Sequence, residues 1–230
     1  ELENSLKYVL QSNYPKDKYH VIIINDNSTD STLQVLNKMN LPSNVTILNR
    51  RRTTGFVAGV LNDGLDILPD ETEIVGVVDS DCMISINLLQ EISYNYNSNF
   101  KGAIQIQEWH YNCMENFITM AQHLLCIYEN YCIQDNPDFK VGHFYHKSLI
   151  KLFKKYNEES IIEDYELSHF FKKNNVKIKT LYQTLIYRQF SNNLKTIYSQ
   201  QYRYALGKQL INYKEKIVQN ELFIPLVIMI

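Results

Sequence analysis

Two short apolar runs rich in β-branched residues, Val21-Ile22-Ile23-Ile24 and Ile74-Val75-Gly76-Val77-Val78, each stop abruptly at polar groups. Asn25-Asp26 follows the first and Asp79-Ser80-Asp81 the second. Strands buried on both faces read as continuous apolar runs, and in open α/β sheets the ligand crevice lies just beyond their carboxyl ends. The chain therefore places carboxylates where a parallel sheet binds ligands. Asp-x-Asp spacing at a strand end lets one or both carboxylates reach a hard divalent cation, which keeps its other positions for water and phosphate oxygens. A nucleotide-diphosphate substrate is the natural candidate.

The rest of the pattern alternates strand and helix. Helical spacing over residues 2–11 precedes the strand 21–24. Asn27-Ser28-Thr29-Asp30 then supplies turn and cap chemistry for a helix carrying Leu33, Leu36 and Met39. Val45-Thr46-Ile47-Leu48 reads as a strand, 57–67 as a helix, 74–78 as a strand and 86–92 as a helix. Ala103 to Gln107 alternates with period two, predicting a strand with one polar face. Helical stretches follow at 114–132 and 148–156, a helix starts near Asp164 and closes at Asn174-Asn175, residues 176–178 form a short strand, and a last helix covers 194–210. Such alternation predicts an α/β fold.

At 230 residues the chain suits one substantial domain. Its formal charge of −2 and pI near 6.3 give no basic field for nucleic acid, and its lysine clusters read as solvated faces. The four cysteines lack both Cys-x-x-Cys spacing and the density of a disulfide scaffold, which favours a reducing compartment. His143 and His146 form a His-x-x-His pair without a second ligand pair, so they read as local packing rather than a zinc site. The chain begins without methionine inside a helical pattern and reads as a fragment. It ends in the apolar run Leu222 to Ile230, too short for a bilayer span, which needs about 20 residues. That run is either the first turns of a truncated span or a buried terminal segment.

Five segments taken in order carry a resemblance. They are Val21 to Asp30, Gly55-Phe56-Val57-Ala58-Gly59-Val60-Leu61-Asn62, Val78-Asp79-Ser80-Asp81, Glu163-Asp164-Tyr165-Glu166-Leu167-Ser168, and Gln200-Gln201-Tyr202-Arg203-Tyr204. Together they resemble family 2 glycosyltransferases, and among these the membrane-bound polysaccharide synthases of cellulose, chitin, hyaluronan and poly-N-acetylglucosamine. The resemblance implies a GT-A type α/β sandwich with a mostly parallel central sheet, its first strand missing before Glu1. The catalytic domain would cover 1–217, and 218–230 would be an apolar tail that starts a transmembrane segment. It further implies inverting, metal-dependent transfer of a sugar from a nucleotide-diphospho-sugar, usually a UDP-sugar, to the hydroxyl of a glycan or other acceptor. The implied setting is a membrane protein whose catalytic domain faces the cytosol.

The resemblance also assigns roles, each with its own chemistry. Asp26 would hydrogen-bond the nucleotide base, and Asn25 replaces a family aspartate. Asp81 would ligate Mg²⁺ or Mn²⁺ directly, with Asp79 on the metal or the donor ribose; the cation neutralises the leaving diphosphate. Asp164, with Glu163 beside it, would be the general base, because a sugar hydroxyl attacks only as its proton is taken. The helix dipole lowers the pKa of such a base, so burial or neighbouring acids must offset it. Gln200, Arg203 and Tyr204 share a helix face, Arg203 suiting the diphosphate. Tyr204 stands where the family has tryptophan beneath the acceptor, while the single Trp109 reads equally as a core or rim residue and as a sugar platform. Val57 replaces a family lysine near the nucleotide, leaving Arg50, Arg51 or Arg52 as compensating cations.

Other readings are a non-processive transferase that adds one sugar to a lipid or protein, and a degenerate domain that binds nucleotide without efficient turnover. A dehydrogenase-type nucleotide fold is disfavoured, because no Gly-x-Gly-x-x-Gly follows any predicted strand.

Overall fold

The computed structural model describes residues 2–51, 53–96, 99–132 and 137–218, with backbone alone at 129–132 and 213–218. The tail 219–230 and Arg52 lie outside the described residues. The elements run α1 (Leu2–Leu10), β1 (Val21–Asn25), α2 (Thr32–Lys38), β2 (Val45–Asn49), α3 (Phe56–Leu65), β3 (Ile74–Val77), β4 (Met83–Ile84) and α4 (Leu88–Tyr96). They continue with β5 (Ala103–His110), α5 (Phe117–Cys132), β6 (His143–His146), α6 (Ile150–Phe153), α7 (Glu163–Lys173), β7 (Ile178–Arg188) and α8 (Leu194–Val218). Among the described residues no helix is long and apolar enough to cross a membrane.

The expected α/β architecture is present. β1 and β2 pair in parallel, from Val21 opposite Val45 to Asn25 opposite Asn49. A second sheet has the order β3-β6-β5-β7-β4. β5 and β7 are parallel, β3 points the same way, and β6 and β4 run against them. The sheet is thus mixed, with the reversed strands coming from short segments, β6 and β4, that the sequence pattern did not reveal.

Successive residues of these strands enter opposite cores, as a pleated sheet covered on both faces requires. Ile104, Ile106, Phe144 and Ile186 pack with Leu88 and Ile92 of α4 on one face. Ala103, Tyr145, Val75 and Ile178 pack with Ala58 of α3 and with Leu167 and Phe171 of α7 on the other. Burying a side chain such as Phe171 contributes roughly 1.5–3 kcal/mol, so α7 is fixed to the sheet by its apolar face and presents its first turn at the sheet edge.

Two local expectations need correction, and one gains a detail. The polar side of the strand at 103–107 lies inside the protein: Gln105 is buried, its amide donating to the Val141 carbonyl at 3.0 Å and accepting from the Lys140 amide at 2.9 Å. The short strand at 176–178 is instead β7, an eleven-residue element whose register with β5 jumps between Ile106 and Gln107. The helix at 148–156 is only a 3₁₀ turn followed by four residues of α6. His143 packs as expected, its ring stacked on Phe139 at 4.4 Å and its pKa pushed down to about 4 by burial.

Candidate functional site

Because β3, β5 and β7 point the same way, the residues at their carboxyl ends meet on one edge. Asp79 follows β3, Glu108 lies near the end of β5, and Arg188 ends β7. Arg188 stands between two acids, Nη2 at 4.0 Å from Asp81 Oδ2 and Nη1 at 3.7 Å from Glu108 Oε2. Burial opposes ionisation of Glu108, yet the His110 ring and Arg188 outweigh it and bring its pKa to about 2. The Asp79 pKa is raised, chiefly by burial of its carboxyl, with Arg188 opposing and Asp81 and Glu108 adding to the rise.

Carboxylate oxygens of Asp79 and Asp81 and the Cys82 sulfur all lie within 4.8 Å of one another. Burial pushes the Cys82 thiol up, and it donates to Asp81 Oδ1 at 3.4 Å. The two carboxylates beside it suit a hard divalent cation such as Mg²⁺ or Mn²⁺.

The first turn of α7 brings Glu163 and Asp164 to the same charged group. Both are half-buried. The Asp164 pKa is raised to about 6 by burial first, then by Asp79, while the Tyr165 amide and Arg203 oppose the rise. Its Oδ1 accepts from the Tyr165 amide at 2.6 Å. Glu163 is raised to about 7, by burial and then by Asp164. The dipole at this helix start is therefore overcome by desolvation, the offset that a base at this position requires.

Helix α8 lies against that turn. Gly207 packs on Ile162, the residue before Glu163, so closely that a Cβ there would sit 2.5 Å from Ile162 Cγ1. Lys208 Nζ lies 4.7 Å over the Tyr165 ring. One turn before Gly207, Arg203 is close enough to act on the charges of Asp79, Glu163 and Asp164, and its guanidinium lies 5.1 Å over the Tyr204 ring. Gln200 is exposed on the same helix. Trp109 is a half-exposed rim residue between Glu108 and His110, edge-on to His123 at 4.5 Å.

Asp26 belongs to a separate ion cluster. The buried Arg50 donates to Asp26 Oδ1, to Asp63 Oδ2 at 2.7 Å and to the Thr54 carbonyl at 3.0 Å. Arg50 is thus committed to the protein and is not a loose replacement for the lysine missing at Val57. Asn25 is held by its own partners: its amide donates to Asn49 Oδ1 at 3.2 Å across the β1–β2 pair, and its Oδ1 accepts from the Ser28 amide at 3.3 Å. Arg188 and Glu108 were missed by sequence reasoning. Their only signal was two charges at the ends of apolar segments, hidden because β7 was cut short.

Comparison with known proteins follows the same lines. The model of glycosyl transferase family 2 matches residues 1–171. Beta-monoglucosyldiacylglycerol synthase of Nostoc sp. is 26% identical over 220 residues, covering 91% of this chain and 47% of the relative. The Synechocystis sp. protein of the same name is 32% identical over 111 residues, 47% of this chain and 23% of the relative. This chain spans about half the length of the Nostoc relative. Among solved structures, S. aureus TarS in complex with UDP-GlcNAc aligns at TM-score 0.64 and 19% identity, over 84% of this chain and 55% of that one. Mannosyltransferase PcManGT of Pyrobaculum calidifontis, with GDP-Man and Mn²⁺, aligns at TM-score 0.71 and 16% identity, over 97% and 61%. These likenesses show a GT-A type fold.

Proposed function

The chain belongs to glycosyltransferase family 2, and from that premise we propose inverting, metal-dependent transfer of a sugar from a nucleotide-diphospho-sugar to the hydroxyl of a lipid acceptor. The observation that carries this reading is the gathering of Asp79, Glu163, Asp164 and Arg203, from three distant segments, into one group of interacting charges. Asp164, with a pKa near 6, is ionised at neutral pH yet basic enough to take the acceptor proton. Glu163 beside it, near 7, stays partly protonated and limits repulsion within the pair. Arg203 would contact the diphosphate, Asp26 the base, and Gln200 and Tyr204 the acceptor end. Asp81 and Asp79 would hold Mg²⁺ or Mn²⁺, which when bound supplies positive charge opposite the leaving diphosphate.

A lipid acceptor is preferred to a growing polysaccharide because relatives covering most of this chain are named as glucosyldiacylglycerol synthases. Exposed apolar side chains support it: Phe117, Leu124 and Tyr128 on α5, and Leu194, Tyr198 and Leu206 on α8. Such faces suit work at a membrane surface. A cytosolic side is compatible with Cys82 and Cys113, which form no disulfide. A second reading, nucleotide binding without efficient turnover, draws on Val57 and on Arg50 being engaged elsewhere.

The test is release of nucleoside diphosphate by the protein in membranes, across UDP- and GDP-sugars with Mg²⁺ or Mn²⁺, with diacylglycerol or an oligosaccharide as acceptor. Metal-dependent release stimulated by diacylglycerol is expected. Release stimulated only by the oligosaccharide would overturn the lipid assignment, and nucleotide binding without release would favour the second reading.

A further inference from the structure

Behind the crevice, the end of β5 packs a different kind of donor set against α5. We propose that Glu108, His110 and Cys126 form a binding site for a thiophilic divalent cation of the Zn²⁺ class, distinct in its ligands from the Asp79–Asp81 pair, to which Arg188 links Glu108.

Glu108 and His110 are alternate residues of one strand and so share a face, while His123 and Cys126 are three apart on the buried side of α5. One donor atom from each of Glu108, His110 and Cys126 lies within 4.8 Å of the other two. Cys126 Sγ is 3.4 Å from Glu108 Oε1, and His110 Nε2 is 3.6 Å from Glu108 Oε2. Zinc bonds of about 2.0–2.3 Å arranged tetrahedrally put neighbouring ligand atoms about 3.4–3.6 Å apart. The two carboxylate oxygens of Glu108 each have that spacing to one partner, Oε1 to the sulfur and Oε2 to the ring nitrogen, so small side-chain rotations would close the set on one ion.

His110 gives the second, independent sign. It is fully buried, its ring stacked on Phe190 at 3.3 Å, and its Nε2 has no hydrogen-bond partner among the described residues. Its other nitrogen, Nδ1, lies 3.5 Å from Nδ1 of His123. Nε2 faces Glu108 Oε2 at 3.6 Å, an oxygen that Arg188 Nη1 also approaches at 3.7 Å, and a metal-bound ring would carry its Nδ1 proton toward His123. A cation in that space would take the Nε2 lone pair, and His123 would orient the ligand ring as outer partners of metal-bound histidines do. The thiol proton leaves to solvent on binding, and thiolate and carboxylate then face the ion together, with Arg188 beside the carboxylate. The imidazole nitrogen distinguishes this site from the set at Asp81, which has none.

The experiment loads the purified, metal-stripped protein with Co²⁺ as a spectroscopic stand-in for Zn²⁺ and records the thiolate-to-metal charge-transfer band. The band is expected in the wild type, in Cys113→Ser and in Asp81→Asn, and is expected to vanish in Cys126→Ser. His123→Ala should bind about 10- to 100-fold more weakly. A wild type without the band, or a band lost in Asp81→Asn and kept in Cys126→Ser, overturns the proposal. Should Cys126→Ser not fold, X-ray absorption of the Zn²⁺-loaded Cys113→Ser protein decides: one sulfur ligand supports the site, and oxygen and nitrogen alone refute it.

Discussion

Asp164→Asn is expected to act in two opposite directions at once, and the structure fixes both signs. As general base, Asp164 should contribute about 10²- to 10⁴-fold to the rate, so nucleoside diphosphate release with acceptor should fall by that factor. The acid limb of kcat/KM near pH 6 should disappear with it. Stability should move the other way. The folded pKa of about 6 lies above the ordinary 3.8, so the folded state binds more protons between those values and loses stability as pH rises through that window. The loss is complete above pH 6 and absent below 3.8. A shift of about 2 pKa units corresponds to about 3 kcal/mol; partial exposure and coupling to Glu163 reduce this to about 1–2 kcal/mol. Asparagine keeps the oxygen that accepts from the Tyr165 amide. Without donor or metal at pH 7.5, the variant should melt about 2–8 °C higher, with the gain vanishing near pH 3.5. A variant that is less stable at pH 7.5, or that turns over at the wild-type rate with the acid limb unmoved, would refute the reasoning.

Other perturbations separate the parts of the site. Asp81→Asn should lose stimulation by Mg²⁺ or Mn²⁺ and fall at least about a hundredfold in rate, measured as metal-dependent nucleotide release. Arg50→Leu leaves Asp26 and Asp63 without their shared cation; as Asp26 is 37% exposed, the loss should be about 3 kcal/mol, the low end for a broken buried pair, read by urea unfolding. Gly207→Val forces α8 off Ile162 and should lower stability by about 1–3 kcal/mol. It should also displace Arg203 from the acids, which a fall in nucleotide affinity would report.

What the sequence made legible depended on how local each signal is. Asp79-Ser80-Asp81 follows an uninterrupted apolar run, and that run is a strand of the central sheet, so its place at a strand end followed from adjacency alone. Glu163 and Asp164 precede Leu167 and Phe171 at helical spacing, and both apolar residues are in the core, which put the acids at a helix start. Arg188 had no such neighbourhood. Its strand pairs with β5 at Ile178–Leu181 and again at Leu185–Arg188, and the residues between break the alternation that would have shown one continuous strand. The period-two pattern at Gln105 showed a polar side but not its surroundings: backbone groups of Lys140 and Val141 satisfy its amide inside the protein.

The valine at position 57, where the resemblance leads one to expect a lysine, changes meaning once Arg188 is in view. Charge-assisted hydrogen bonds are typically worth about 1.5–3 kcal/mol, so a donor site without that lysine needs another cation near the diphosphate. Arg50 does not serve, because three protein groups hold it in a buried position. Arg188 is already within 4.0 Å of Asp81 and acts on the charge of Asp79, while Arg203 reaches Asp79 from α8. The positive charge of the crevice therefore comes from β7 and α8, at the end of the chain, rather than from the helix after β2. On this argument Arg188→Met should weaken donor binding more than Arg51→Met, and equal effects on nucleotide affinity would show that the cation lost at Val57 was not replaced there.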